Sequence, residues 1–217
     1  MQIKICGVKT LEDSLTACEA GADMLGFNFY APSPRYIEQA VCRQIITTVK
    51  AVFPQTACVG VFVNHSIAQI ETIMEYTGLD LAQLSGDEPA EALVALGEHA
   101  FKALRPKSPG ELNELITTLP IRQSAPAFLL DSHHKDSYGG SGQTGDWAMA
   151  AEVARDYPIL LAGGLDPDNV YEAICTVRPW GVDVASGVEA QRGVKDPQRI
   201  IDFIQRARAA VQEIITS

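Results

Sequence analysis

Two short words far apart in the chain carry residue types able to move protons, Lys4-Ile5-Cys6-Gly7 and Leu129-Leu130-Asp131. Each stands where an apolar run gives way to a polar loop, the place where parallel α/β folds put their chemistry. A thiol and a carboxyl brought to one mouth can serve one substrate as base and acid. Cys6 precedes a glycine that permits close approach of a ligand, although a cysteine taken alone reads as a packed, inert thiol. Asp131 reads as the acid or as a loop anchor through backbone N–H groups. Lys4 reads as a solvated stem or as a cation of the site.

Other residues could complete such a site. Gly163-Gly164 and Ser186-Gly187 each follow an apolar run, and Gly139-Gly140-Ser141-Gly142 lies beyond Asp131. Any one group is an ordinary turn. Gathered at one end of a barrel, they predict a phosphate held by the backbone of Gly140, Ser141, Gly142, Gly163, Gly164, Ser186 and Gly187. Arg35, after Pro32-Ser33-Pro34, could grip a planar carboxylate bidentately, the alternative being a solvated surface residue. Asp183 interrupts an apolar run and therefore needs a partner, either a polar group of the substrate or a neighbouring strand. His133 and His134 are adjacent and lack further ligands at metal spacing, so no metal is expected.

The elements that must position these residues follow from alternation. Short β-branched and aliphatic runs at Gln2–Cys6, Met24–Phe29, Cys58–Val63, Leu81–Leu84, Phe101–Leu104, Ala127–Asp131, Ile159–Ala162 and Gly181–Ala185 are separated by helical spacing, which argues for repeated βα units. Helices are predicted over Leu11–Ala20 with Thr10 as cap and Gly21 as stop, and over Ile67–Tyr76 after Ser66. Others run from Pro89 to His99, from Asp166-Pro167 through Cys175, and from Pro197 to Ile215. Eight such units predict one α/β domain over residues 1–217, a (β/α)8 TIM barrel with phosphate-binding loops at its C-terminal face. A doubly wound sheet is the alternative, but so short a chain leaves little room for its usual insertions.

Composition narrows the partners. A formal charge of −10 and a pI near 4.8 disfavour nucleic acid as a partner, while leaving room for a local cationic pocket. No apolar run approaches the length that spans a bilayer, and no signal-peptide pattern opens the chain, so no membrane partner and a cytoplasmic protein are expected. Five cysteines at irregular spacing read as reduced thiols. Composition does not choose between a monomer and a homodimer.

Taken together, Lys4-Ile5-Cys6-Gly7, Gly26-Phe27-Asn28-Phe29-Tyr30 with Ser33-Pro34-Arg35-Tyr36, Leu130-Asp131, Gly139-Gly140-Ser141-Gly142, Gly163-Gly164-Leu165 and Asp183-Val184-Ala185-Ser186-Gly187-Val188-Glu189 resemble the phosphoribosylanthranilate isomerases of tryptophan biosynthesis. The resemblance spans almost the whole chain. It implies an Amadori rearrangement of a phosphorylated small molecule without metal or organic cofactor. By the same resemblance Asp131 protonates the ring oxygen, Cys6 thiolate removes the C2′ proton, Arg35 holds the anthranilate carboxylate, Asp183 orients the aromatic amine and the glycine loops hold the phosphate. A lowered Cys6 pKa and a raised Asp131 pKa would suit those roles. One departure is Ser85 in Gln83-Leu84-Ser85-Gly86, where the family pattern has histidine. Two other readings remain at this point: a lyase like the related indole-glycerol-phosphate synthase, for which Lys4 and Lys102 are the available lysines, and a non-catalytic phosphate binder on the same scaffold.

Overall fold

The computed structural model describes residues 1–131 and 147–216. Eight parallel strands close into a barrel in sequence order: β1 Gln2–Cys6, β2 Met24–Asn28, β3 Ala57–Phe62, β4 Leu81–Leu84, β5 Ala100–Leu104, β6 Phe128–Asp131, β7 Leu160–Ala162 and β8 Gly181–Val184. Closure is made by β1 on β8, with Gln2 opposite Gly181 and Lys4 opposite Asp183. Around the barrel lie α1 Leu11–Ala20, α2 Gln39–Val52, α3 Ile67–Thr77, α4 Ala90–Leu96, α5 Pro109–Thr118, α6 Trp147–Ala154, α7 Val170–Val177 and α8 Pro197–Thr216. The barrel is therefore the observed architecture, and the doubly wound alternative falls.

Local chemistry explains most boundaries. Thr10 accepts the Asp13 N–H at 3.0 Å and Gly21 closes α1 in the left-handed region at φ 102°, a polar cap followed by a glycine stop. Ser66 and Gln69 exchange bonds as a capping box before α3. Two expected helices change. The segment from Pro89 breaks at Gly97, and a single 3-10 turn, Gly97–His99, follows α4. The helix expected from Asp166-Pro167 starts only at Val170, because the Asp166 carboxylate first accepts the N–H groups of Asp168 and Asn169, a local turn that competes with helix. After β8 the chain also makes a 3-10 turn, Ser186–Val188, and a small antiparallel hairpin, β9 Glu189–Gln191 with β10 Val194–Lys195.

The two-residue period of each strand divides the core. Ile3, Ile5, Leu25, Phe27, Phe128, Leu130, Val182 and Val184 pack under the helices, whereas Met24, Val59, Phe101, Ala103, Leu129, Leu160 and Ala162 fill the barrel. Side chains between outward ones must point inward, so Lys4, Cys6, Gln83, Asp131 and Asp183 face the barrel interior or its mouth. At the opposite end, Asp23 accepts the Ile3 N–H at 2.8 Å and the Arg208 guanidinium at 2.7 Å. That contact pins α8 to the start of β1.

Phe128 has no exposed surface and lies three residues before Asp131. Phe128→Ala is expected to cost about 3–5 kcal/mol through lost burial and the cavity left behind, read as a lower urea midpoint with an unchanged unfolding slope.

Candidate active site

The centre of the mouth is a buried ammonium. Lys4 has no exposed surface, and its Nζ donates to Asp183 Oδ1 at 2.7 Å and to Gln83 Oε1 at 2.9 Å. Gln83 in turn donates through Nε2 to Ser85 Oγ at 3.1 Å. Burial acts against the Lys4 charge, but attraction from Asp183 and Cys6, together with the Asp183 hydrogen bond, outweighs it and holds its pKa above the ordinary value. A solvated stem at Lys4 is thus excluded: it is a buried, paired cation at the mouth, and Asp183 has its partner on the neighbouring strand.

Cys6 is 8 % exposed. Burial is the largest influence on its thiol and pushes the pKa up, with Asp183 adding to the rise, while Lys4 and Lys195 pull it down without cancelling it. The lowered value expected at Cys6 is therefore not found, because desolvation of the thiolate exceeds the help of two ammoniums. Space for the sulfur is made by Gly26 on β2, where an added Cβ would stand 2.8 Å from Cys6 Sγ. Gly7, at φ +74°, has a second duty: a Cβ there would meet Arg35 Cδ at 2.6 Å. The other buried cysteines, Cys18, Cys42 and Cys58, are free thiols with pKa values raised mainly by burial, that of Cys58 to about 12.

Arg35 does not extend into solvent. Its Nε and Nη2 form a fork on Glu189, at 2.6 and 2.9 Å, and Glu189 also accepts the Gly193 N–H at 3.1 Å. Lys195, nearly buried on β10, donates to Ala185 O at 2.7 Å and approaches Glu189 at 3.5 Å. Burial lowers the Lys195 pKa despite the attraction of Cys6 and Glu189. The hairpin after β8 thus orients the arginine delivered by the loop after β2. Glu189, Lys195 and this hairpin were not singled out as site elements from the sequence; the acidic residue closing Ser186-Gly187-Val188-Glu189 was the available signal.

Asp131 ends β6, and Arg105 Nε faces its Oδ2 at 3.4 Å while Arg105 Nη1 donates to Ser85 O at 2.9 Å. Ser85, in the place of the expected histidine, is buried and joins this polar chain. Lys102 points to the helix layer instead, where it meets Gly86 O and the Glu88 carboxylate. Both lysines available to a lyase are therefore engaged, one sealed inside the barrel and one outside it.

The loops after β7 and β8 touch. Gly163 and Gly164 have φ of 100° and 68°, conformations suited to glycine, and a Cβ on Gly187 would lie 1.9 Å from Leu165 O. Ser186 and Gly187 form the short 3-10 turn beside them, the arrangement barrels use for phosphate. Gly140, Ser141, Gly142, His133 and His134 lie outside the described residues. Among the described residues, no group of three His, Cys, Asp or Glu side chains could hold a metal ion, and no helix is long and apolar enough to cross a membrane.

Comparison with known proteins supplies the context for this geometry. The family model described as N-(5′-phosphoribosyl)anthranilate (PRA) isomerase matches residues 3–206. The N-(5′-phosphoribosyl)anthranilate isomerase of Roseiflexus sp. is 45 % identical over 217 residues, covering 98 % of this chain and all of the relative. The crystal structure of phosphoribosyl anthranilate isomerase from Thermotoga maritima superposes with a TM-score of 0.84 at 37 % identity, over 96 % of this chain and 99 % of its own. A solved phosphoribosyl anthranilate isomerase in complex with reduced 1-(O-carboxyphenylamino)-1-deoxyribulose 5-phosphate gives 0.81 at 34 % identity, over 96 % of this chain and 99 % of its own.

Two outcomes test the packing and charges of this mouth. Gly26→Ala is expected to lower stability by about 1–3 kcal/mol through overpacking against Cys6, and Cys6→Ala in the same chain should recover part of that loss in urea unfolding. Burial opposes ionisation of Glu88 and Glu189, but Lys102 and backbone N–H groups at Glu88, and Arg35, Gly193 and Lys195 at Glu189, hold both pKa values below 4.5. A carboxylate depressed in the folded chain stabilises it above the unfolded pKa, and that contribution disappears as pH falls through the folded value. Urea midpoints should therefore fall below pH 4.5, less steeply in Glu88→Gln, whose stability at pH 7 should already be reduced.

Proposed function

Because the chain belongs to the N-(5′-phosphoribosyl)anthranilate isomerase family, we propose that Cys6 is the base and Asp131 the acid of the rearrangement it catalyses. The reaction converts N-(5-phosphoribosyl)anthranilate to 1-(2-carboxyphenylamino)-1-deoxyribulose 5-phosphate in tryptophan biosynthesis. The observation that carries the assignment is positional: Cys6 and Asp131 end β1 and β6 on inward positions of one barrel, beside a cluster of cations. That is where a barrel enzyme meets its substrate.

Asp131 as carboxylic acid gives its proton to the furanose oxygen as the C1′–O bond opens and the nitrogen lone pair forms an iminium. Cys6 as thiolate then takes the C2′ proton, and the electron pair of that C–H bond neutralises the iminium to give an enolamine. Transfer of the 2′-hydroxyl proton to C1′ completes the ketone. The productive enzyme therefore carries a thiolate opposite a protonated carboxyl. A thiol raised by burial is mostly protonated at neutral pH, and the cation developing beside it favours its ionisation when a base is required.

Arg35 holds the anthranilate carboxylate with the N–H groups that Glu189 leaves over. A guanidinium has five donors in a rigid fork, and Glu189 occupies the edge made by Nε and Nη2. Asp183 orients the aromatic amine while paired to Lys4. The phosphate lies on the backbone of Gly163, Gly164, Ser186 and Gly187; the family resemblance gives the same role to Gly140, Ser141 and Gly142, which lie outside the described residues. The protein is cytoplasmic in this reading, acts on a small phosphorylated molecule and needs no cofactor.

Loss of phosphoribosylanthranilate fluorescence, with substrate formed in situ from anthranilate and phosphoribosyl pyrophosphate, measures the roles. Cys6→Ser and Asp131→Asn should each lower kcat by about 10²–10⁴-fold, the range of a lost proton-transfer group, with circular dichroism unchanged. Near-normal turnover in either variant would remove the role from that residue. Arg35→Ala should act mainly on KM.

A further inference from the structure

Lys4 is absent from the proton-transfer scheme, yet it occupies the most protected place in the mouth. Its ammonium has three N–H donors; one goes to Asp183 and one to Gln83. Lys4 and Cys6 are two residues apart on the inward face of β1, so the ammonium and the thiol stand on the same side of the strand, and each acts on the charge of the other.

The second acceptor matters as much as the first. Gln83 is neutral, so only one carboxylate is bonded to this buried cation, and its charge is not over-neutralised. An amide can present either oxygen or nitrogen to a neighbour. The bond from Gln83 Nε2 to Ser85 Oγ leaves Oε1 turned toward Lys4. Ser85 in the place of the expected histidine is thus part of the frame that fixes the ammonium.

We propose that Lys4 is a positioning residue for the isomerisation, its buried ammonium, framed by Asp183 and the Gln83–Ser85 link, orienting the Cys6 sulfur and stabilising its thiolate. This deepens the reading of Cys6 as base and rests on it. Charged groups facing Cys6 come from three strands: Lys4 on β1, Asp183 on β8 and Lys195 on β10, the last backed by Glu189 and Arg35. Lys195 is bonded to Ala185 O and pulled toward Glu189, whereas Lys4 shares the face and strand of the thiol. Removing Lys4 should therefore leave a thiolate harder to form even though Lys195 stays.

The test is the rate of Cys6 alkylation by iodoacetamide as a function of pH, read on the Cys6 peptide by mass spectrometry in wild type, Lys4→Met and Lys4→Met with Asp183→Asn. The double variant removes both charges of the pair, so a buried unpaired carboxylate cannot explain its behaviour or prevent its folding. In both variants the midpoint should rise by at least about one pH unit. In Lys4→Met, kcat should fall by about tenfold or more with KM within about threefold, the signature of a weakened proton-transfer step. An alkylation midpoint in the double variant equal to wild type would show that Lys4 only neutralises Asp183, and the proposal would fall. Cys6→Ser, run in parallel for turnover, separates the two readings: if it stays active the base assignment fails on its own, while the alkylation result reports on Lys4 regardless.

Discussion

The Lys4 ammonium and the Asp183 carboxylate lie in register on the two strands that close the barrel, 2.7 Å apart and almost entirely out of water. A buried ion pair is weak evidence for stability, since desolvation of both charges consumes most of their attraction. Its force is as a constraint. A slip of β8 against β1 by one residue would turn Asp183 to the helix layer, put Val182 or Val184 inside, and strand a lysine in an apolar interior. On its other side β1 pairs with β2, and that register sets Cys6, two residues beyond Lys4, opposite Gly26, which has no side chain to occupy the sulfur's space. The alignment of β1 with its two neighbours thus places the thiol, its neighbouring cation and the closure of the barrel together.

Above that layer the chain solves a charge problem. The protein as a whole is strongly acidic, yet Lys4, Arg35, Arg105 and Lys195 converge on the mouth from β1, from the loops after β2 and β5, and from β10. Each is held by an oxygen acceptor, and Arg35 and Lys195 share Glu189. Held cations do not reorganise when an anionic substrate arrives, and preorganised charge is worth most where water is excluded. The acidic exterior discourages polyanions, while the cations gathered at the mouth suit a substrate bearing a phosphate and a carboxylate.

Much of this is legible in the sequence. All eight strands begin and end within one residue of the runs expected from the sequence, and Gln2–Cys6 and Leu81–Leu84 coincide with theirs, because continuous apolar runs have few alternatives when both faces of a strand are covered. The start of α7 was less legible, since Asp166 could cap a helix or make its own turn and the sequence shows both options equally. Cys6, Asp131, Arg35 and Asp183 were recognisable as candidates because each breaks the pattern of its surroundings. Lys4 admits two readings from sequence, for a lysine stem suits water and a buried pair alike. Lys102, two residues before Leu104 on a strand like the others, could have pointed either way; only the phase of Phe101 and Ala103 inside the barrel sends it outward.

From the order of residues alone follow the eight βα units, the barrel, the family and the residue types that could move a proton or grip a carboxylate. Partners are another matter. That Glu189 forks onto Arg35 across 154 positions, that Lys4 meets Gln83 and Asp183 at separations of 79 and 179, and that Gly26 makes room for Cys6 are products of closure. A side chain's charge is written in the sequence, but its pKa and its orientation depend on what desolvates it and what bonds it. At Cys6 those influences come from strands at opposite ends of the chain, which only the folded barrel brings together.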